Sequence, residues 1–556
     1  MVIVSSIIAI GVGVATTFGI TGFFAAGTGA FLLGLGTQIV LGLALNALTP
    51  KPSIGSSAAR GYQVNSRGSA LDHAIIYGMT KVGGAIVFDE TTGNNNKYLH
   101  RIIAVAGHEI ESFDRIYIND DYIDVANLDG DGNVPLVYAS DGVTTSDRYD
   151  GKVRIKLHLG ATDQDADTDL VSEVTSWTTN HRLRGIAYMY ARFKFDADVF
   201  PNGIPTITAV VKGKKVYNPA TTLTEWSDSP ALCLRDYLTS SSYGLGEADA
   251  NIDDTLVTAA ATVCAQTNTT AATTRYTTNG TFTTSITPFD LINSILTSMS
   301  GSMWYSQGKW RMKPAYWTAP VLALDEDDLR SSISVATRHS RRDNFNTVKG
   351  TFRGEETNWQ VTDYPEVTNA AFVTADNDQV STVDIDLPFT DNSIEARRIG
   401  RIGLEANRQQ LMVGASFGLR ALAVQVGDNI TLTNSRFGWV AKEFQVVSWN
   451  FGLTDGLDLQ IEMSLKETAE TVFDETDDGI IYERDNTTLL SPFEVPAVGL
   501  SAEATTQVIR EKLTNIINVT VTSGRPEGID RVEVEFKENS ETEYTSLGTG
   551  KLGLFR

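Results

Sequence analysis

The apolar and polar positions divide the chain into four stretches: an apolar opening, a strand-like region, a helical block and a second strand-like region. In the first strand-like region, residues 74–78 and 85–89 are apolar and flank Lys81-Val82-Gly83-Gly84, which predicts strand, turn, strand. Short apolar runs continue at 100–106, 115–118 and 122–125. Arg154, Lys156 and His158 then alternate with Val153, Ile155 and Leu157, the period of a half-buried strand. Residues 185–195 and 207–212 read as further strands, separated by the turn Phe200-Pro201-Asn202-Gly203-Ile204-Pro205. Residues 70–218 are therefore expected to be mostly antiparallel β.

The period changes at Ser229-Pro230. A capping hydroxyl followed by a proline, whose missing N–H costs nothing at the first helical position, predicts a helix start. Leu232, Leu234 and Leu238 form its apolar side, and Gly244 and Gly246 end it. Residues 252–264 read as a second helix with Asp253 and Asp254 in its first turn, where carboxylates suit the helix dipole. Thr287-Pro288 opens a third, with Leu291, Ile292, Ile295, Leu296 and Met299 at helical spacing and Gly301 closing it. Residues 303–314 read as a hairpin turning at Gln307-Gly308. From Arg341 the strand pattern returns, interrupted by a helix near 393–410. Strands at 411–419, 428–433, 443–451 and 457–465 suit a small barrel. Past Pro492, Val532, Val534 and Phe536 alternate with Arg531, Glu533 and Glu535, as in one sheet of a β-sandwich. Too few strands precede Arg556 to close that sandwich, so a longer native chain is expected.

The predicted plan is a mainly β, multidomain α+β chain. It comprises an apolar Gly-rich leader 1–50, a linker 51–69, a β-rich region 70–218, a helical α+β region 219–320, a β-barrel region 321–490 and the start of a sandwich at 491–556. The leader is unusual. No Asp, Glu, Lys or Arg occurs between Met1 and Pro50, and the first charged side chain is Lys51. Residues 2–20 and 31–48 are each long enough to cross about 30 Å of hydrocarbon as helices. Nine glycines lie among them and supply small faces on which helices approach closely. Two readings stay open: a segment covered by partner chains inside an oligomer, or one that enters a membrane.

Composition narrows the function. The 556 residues carry 45 Lys+Arg against 68 Asp+Glu, a formal charge of −23, with 42% apolar and 20% charged residues. At roughly 100–200 residues per domain this length suggests about three to five domains of ordinary globular composition. So acidic a chain is unsuited to binding nucleic acid by phosphate neutralisation. Two cysteines, Cys233 and Cys264, make neither a disulfide scaffold nor a Cys-based zinc site, and they read as buried free thiols on neighbouring helices.

No catalytic constellation stands out. Six histidines (73, 100, 108, 158, 181 and 339) are scattered without metal-ligand spacing, and they read as structural. Gly11-Val12-Gly13 lacks the strand–helix setting that a dinucleotide needs. Asp129-Gly130-Asp131-Gly132-Asn133 and the run Asp163, Asp165, Asp167, Asp169 space carboxylates by two, which can bring oxygens around Ca²⁺. The second run has Thr168 where an EF-hand needs glycine and Val174 where it needs the closing glutamate. Solvated turns and helix-capping aspartates are the other reading. No catalytic, cofactor or metal residue is assigned, and the chain is read as a structural protein, not an enzyme.

At the helical block the sequence resembles a known family. Trp226-Ser227-Asp228-Ser229-Pro230-Ala231-Leu232-Cys233-Leu234-Arg235-Asp236-Tyr237-Leu238-Thr239, then Tyr243-Gly244-Leu245-Gly246, is similar to the siphophage tail-tip central hub proteins typified by the phage lambda host-specificity (tip attachment) protein J. Val263-Cys264, Gly301-Ser302-Met303-Trp304-Tyr305, Gly308-Lys309-Trp310, Asn344-Phe345-Asn346-Thr347-Val348, the helix 396–410 and Val426-Gly427-Asp428 follow in the same order. Ile76-Tyr77-Gly78, Gly107-His108-Glu109-Ile110 and Lys212-Gly213-Lys214-Lys215-Val216-Tyr217 resemble closer siphophage relatives. The likeness spans roughly residues 70–490.

The resemblance implies a homotrimeric hub that closes a long non-contractile tail tube below the distal tail protein. Such a hub meets the tape measure protein and other tail-tip proteins and opens for DNA, which passes without specific binding. It also implies ring and barrel domains followed by fibronectin type III-like modules, here beginning at 491–556, and host-receptor contacts through regions beyond Arg556. The expected location is the virion tail tip, after assembly in the host cytoplasm. Residues 1–50 have no counterpart in the lambda protein; as a lumen plug or a later host-membrane contact they would suit either open reading. Two rivals remain at this point: a tail-associated cell-wall or polysaccharide hydrolase, needing two carboxylates about 5–10 Å apart, and a membrane-anchored adhesin.

Overall fold

The computed structural model describes residues 65–474 except 69–70, 141, 268–272, 339–342 and 454–458, and then 498–509, 512–523, 532–537, 540, 542–550 and 553–555. The expectations for residues 1–50, for nearly all of the linker and for His339 lie outside the described residues. The chain divides into two compact units, Met1–Tyr482 and Glu483–Arg556.

The larger unit begins with β1 (Ala74–Tyr77), β2 (Met79–Val82), β3 (Ala85–Thr92), β4 (Tyr98–Ala106), β5 (Ile110–Ile118), β6 (Asp121–Asp124), β7 (Val137–Tyr138), β8 (Thr145–Ser146) and β9 (Val153–His158). A short helix, α1 (Thr168–Glu173), precedes β10 (Ala187–Lys194), β11 (Ile207–Asn218) and β12 (Leu223–Trp226). Two sheets result. One runs β3-β4-β10-β9; the other runs β12-β11-β5-β6-β7-β8, with β2 also paired to β11. Period-2 alternation assigns each strand's faces. Ile103, Val105, Met189 and Ala191 join Ile116, Ile118, Ala209 and Val211 in a shared core, while Ile102, Tyr188 and Tyr190 pack with Leu170, Val174 and Trp177 on the far side.

Two expectations for this region change. Residues 74–89 form no hairpin: β1 pairs with a strand some 200 residues away (Ala74 with Thr283), β2 with β11, and β3 with β4. The reason is burial on both faces. Ile76 belongs to the core between the two sheets, whereas Ile75 and Tyr77 belong to the helical core. The polar face of β9 is not a solvent face either, since Arg154 is only 9% exposed. It lies against Glu173 of α1 at 3.0 Å.

The helical block comprises α2 (Pro230–Thr239), α3 (Asp254–Cys264), β13 (Gly280–Thr283), α4 (Pro288–Ser298) and the hairpin β14 (Ser302–Ser306) with β15 (Lys309–Lys313). Pro230 takes the first position of α2 as predicted, but the Ser229 side chain makes no cap hydrogen bond. Asp253 caps α3 by accepting from the Leu256 N–H, and Thr287 caps α4 by accepting from the Asp290 N–H. Gln307 and Gly308 both adopt positive φ (53° and 79°), the type I′ geometry whose twist suits a two-residue hairpin.

The remainder of the unit holds β16 (Leu322–Leu324), β17 (Ser334–Ala336), β18 (Thr347–Lys349), β19 (Thr351–Phe352), β20 (Thr362–Asp363), β21 (Val367–Thr368), α5 (Ala370–Ala375), β22 (Thr382–Asp384), α6 (Ser393–Arg408), β23 (Met412–Phe417), β24 (Asn429–Asn434), β25 (Trp439–Leu453) and β26 (Leu459–Glu467). The barrel-like stretch is a six-stranded sheet in the order β16-β24-β25-β26-β23-β17, with β16 parallel to β24. Its core contains Val413, Phe417, Ile430, Leu432, Phe444, Ile461 and Met463. α6 joins the helical block instead: Ala396, Ile399, Ile402 and Leu404 share one apolar core with Leu234, Leu238, Leu291, Ile295 and Phe389.

In the smaller unit, β27 (Val498–Ile509) pairs with β28 (Lys512–Ser523) and β28 with β31 (Gly553–Phe555), while β29 (Val532–Phe536) pairs with β30 (Thr545–Gly550). All of these pairings are antiparallel. The whole fold is mainly β with an inserted helical block, as the periodicity predicts.

Two glycines separate steric from conformational demand. A Cβ on Gly213 would lie 2.2 Å from the Ile76 carbonyl oxygen, whereas one on Gly308 meets open space at φ 79°. Gly213→Ala should therefore cost about 3 kcal/mol or more, and Gly308→Ala only about 1 kcal/mol, measured by denaturant unfolding.

Candidate functional site

The phrases that carry the family resemblance are scattered through the sequence, yet many of them meet where β1 passes between the sheets and the helical block. The Ile76 N–H donates to His108 Nε2 at 3.0 Å, and His108 Nδ1 lies 2.7 Å from the Glu109 carbonyl oxygen. Those two bonds require a neutral ring with its proton on Nδ1. Burial lowers the His108 pKa to about 4.

Next along the chain, the Gly78 carbonyl accepts from the Gly213 N–H at 2.7 Å and from Trp226 Nε1 at 3.2 Å. The Tyr77 hydroxyl donates to Asp236 Oδ2 at 2.7 Å, and the Tyr243 hydroxyl donates to the same oxygen. Burial nevertheless pushes the Asp236 carboxyl above the usual range. Asp236 thus ties α2 to β1.

Its neighbour Arg235 ties α2 to α3. Nε donates to Asp254 Oδ1 at 2.7 Å, while Nη2 donates to Asp254 Oδ2 at 3.1 Å and to Asp249 Oδ1 at 3.0 Å. The planar fork of arginine suits that bidentate geometry.

The segment before β13 completes the joint. Asn279 accepts from the Met79 N–H at 2.7 Å through its side chain and donates to the Phe389 carbonyl at 2.7 Å through its backbone. The Thr278 N–H donates to the Asp228 carbonyl at 2.7 Å. Farther along, a Cβ on Gly427 would lie 2.9 Å from the Trp304 ring, and Lys313 Nζ donates to the Gly427 carbonyl at 2.8 Å. Asn346, wholly buried, donates to Gln379 O and Asp376 Oδ2 and accepts from the Ser381 N–H. Each of these residues spends its polar groups on holding elements together. The site is a joint.

The remaining candidates lie elsewhere and do not converge. Asp129 accepts from the N–H groups of Asp131 and Asn133 and from the Asn133 amide, so its run closes on itself as a turn. In the second run, Asp167 caps α1 and lies 2.9 Å from His158 Nε2, and Asp169 faces Arg154 and Lys156 at 3.7 and 3.4 Å. Asp163 and Asp165 are exposed. Among the described residues, no group of three or more His, Cys, Asp or Glu side chains is placed to hold a metal ion. Cys233 and Cys264 are buried and free, and burial raises both thiol pKa values, which suppresses the reactive thiolate.

Among the other described histidines, His100 is buried between Thr92 and the Tyr190 hydroxyl, and His158 stacks on Tyr188 with ring centroids 4.2 Å apart. Sequence reading assigned no role to Asp236 at the joint, nor to Asp391 and Glu395, whose carboxyls meet Thr277 just ahead of β13. A signal for the first existed: Arg235-Asp236 interrupts an otherwise apolar helix face. Glu395 had none, because the apolar and polar neighbours that bury it come from other elements.

No family model matches the chain. It is 24% identical to the baseplate hub protein pb3 of Escherichia phage T5 over 464 residues, 72% of this chain and 48% of that protein. The chain thus spans about half the length of the curated relative it matches. Among solved structures, a chain from the virion of a native gene transfer agent particle aligns with a TM-score of 0.52 at 15% identity, covering 84% of this chain and 99% of that chain. A tail protein from Neisseria meningitidis MC58 aligns over 72% of this chain and 97% of that chain at 8% identity, and its TM-score of 0.30 carries no weight. The chain is therefore similar in sequence to a phage baseplate hub protein and in fold to a virion component.

The joint carries a pH signature. His108 is neutral when folded, with a pKa near 4 against an ordinary 6.5. Its contribution is fully present above pH 6.5 and is lost as pH falls toward 4, on the order of 3 kcal/mol. His108→Gln should remove that slope, read as unfolding free energy against pH between 7 and 4.

Proposed function

We propose that the chain is the structural central hub of a long non-contractile phage tail tip, of the lambda tip-protein kind. The observation that carries this reading is the 24% identity to a phage baseplate hub protein across 464 residues. In the proposed assembly three copies close the tail tube, link the distal tail protein and other tail-tip proteins to receptor-binding parts, meet the tape measure protein, and open for DNA. Residues 491–556 begin a fibronectin type III-like module, and residues 1–50 plug the lumen or contact the host membrane. The particle is assembled in the host cytoplasm.

Physical chemistry supports the assignment in two ways. A charge of −23 repels the phosphate backbone, so a conduit built from this chain does not retain its cargo. The joint is constructed for mechanical coupling: bonds between distant segments bring the β sheets and the helical block together around β1. No bond-making step is proposed for it.

Antibody raised against residues 70–490 should label the distal end of the tail in negative-stain micrographs of virions, and the purified chain should sediment as a trimer. Label along the tail shaft, or a monomer at micromolar concentration, would overturn the hub reading.

A further inference from the structure

Beneath the start of α6, two carboxyl groups converge on one hydroxyl. The Thr277 Oγ1 atom lies 2.8 Å from Glu395 Oε2 and 3.4 Å from Asp391 Oδ1, and the Thr277 N–H donates to Glu395 Oε1 at 2.8 Å. A hydroxyl carries one proton, so it can donate to only one of the two carboxyls. The other contact is satisfied when that carboxyl holds a proton of its own and donates it to the hydroxyl oxygen.

Two surrounding groups favour the charged forms, a hydrogen bond from the Asn279 side chain to Asp391 and the Arg398 charge near Glu395, but burial outweighs both. Arg398, one turn along α6, donates Nη1 to the Arg275 and Thr274 carbonyls at 2.7 and 3.4 Å. Asp228, before α2, adds negative potential at Asp391; Cys264 of α3 and the Tyr276 phenol interact with Glu395, and the Arg275 guanidinium acts on both of those groups. On the opposite side, Asp391 borders a cavity of about 350 Å³ with Met79, Glu355, Glu356, Trp359 and Asn392. Asp391 is itself only half-buried where it borders this cavity, which opens it to protons from solvent. Burial, chiefly, raises Asp391 from 3.8 to about 6 and moves Glu395 upward too.

We propose that Asp391 and Glu395 share a proton through Thr277, and that this proton latches the first turn of α6 onto the segment leading into β13. The latch tightens in acid and slackens as pH rises. For a carboxyl whose folded pKa lies above its unfolded value, the folded state holds the extra proton, so stability is present at low pH and is lost as pH rises through the folded pKa. The segment is placed to matter: Asn279 binds Met79 and Phe389, and β13 pairs with β1, so slackening here frees the joint between sheets and helices.

Hydrogen exchange of the full chain, corrected for intrinsic exchange at each pH, reads the latch locally. Protection of amides 277–283 and 392–396 should fall about 10-fold between pH 5 and pH 8, the one-unit span from pH 5 to the Asp391 value of about 6 expressed as an equilibrium constant. Asp391→Asn and Glu395→Gln should each flatten that dependence while keeping protection high at pH 8. If Asp391→Asn does not fold, Glu395→Gln carries the same reading. His108→Gln, whose pH effect has the opposite sign, should leave the slope at these amides unchanged. Protection independent of pH in the unsubstituted chain, or a slope retained in both carboxyl variants, would overturn the proposal.

Discussion

A four-residue strand without a solvent face organises the larger unit. In β1, alternation directs Ile76 into the core between the two N-terminal sheets and Ile75 and Tyr77 into the core of the helical block. Its backbone pairs with β13, and its polar neighbours reach His108, Asp236, Gly213 and Asn279 on four other segments. Because both cores claim it, neither can shift against β1 without opening apolar surface and breaking buried hydrogen bonds together. Each such bond is modest in net terms, but leaving a buried partner unsatisfied costs the full desolvation of that group.

This economy explains the polar content of the interior. Arg154, Arg235, Asn346, His100, His108 and Glu395 are all nine-tenths or more buried. Buried charges and amides add little to stability when they replace apolar packing, and they punish misplacement severely when a partner is lost. They select one arrangement of elements over its near neighbours. A protein that must hold a fixed geometry under load, as the proposed hub would, benefits from that selectivity more than from extra stability.

Two titrating features of the joint oppose each other. His108 is held neutral and disfavours acid, while the Asp391–Glu395 pair retains protons and disfavours base. Their effects overlap in a global unfolding curve and separate only in local readouts, because His108 lies on the β-sheet side of β1 and the carboxyls lie at the start of α6.

Local chemistry was legible in the sequence. Pro230, Asp253, Thr287 and the Gln307-Gly308 turn start, cap or connect the elements that their residue types predict, because caps and tight turns are decided within a few residues. The mainly β plan with a helical insertion was legible for the same reason, since periodicity records which face is buried. What covers that face was not. Residues 74–89 look like a hairpin, yet their strands go to three different partners, and the alternating polar face of β9 is covered by α1. The joint itself belongs wholly to tertiary structure: Tyr77 meets Asp236, and Thr277 meets Glu395, across 159 and 118 residues. A period reports burial but not the partner, and a carboxyl acquires its shifted proton affinity only from the groups that folding brings around it.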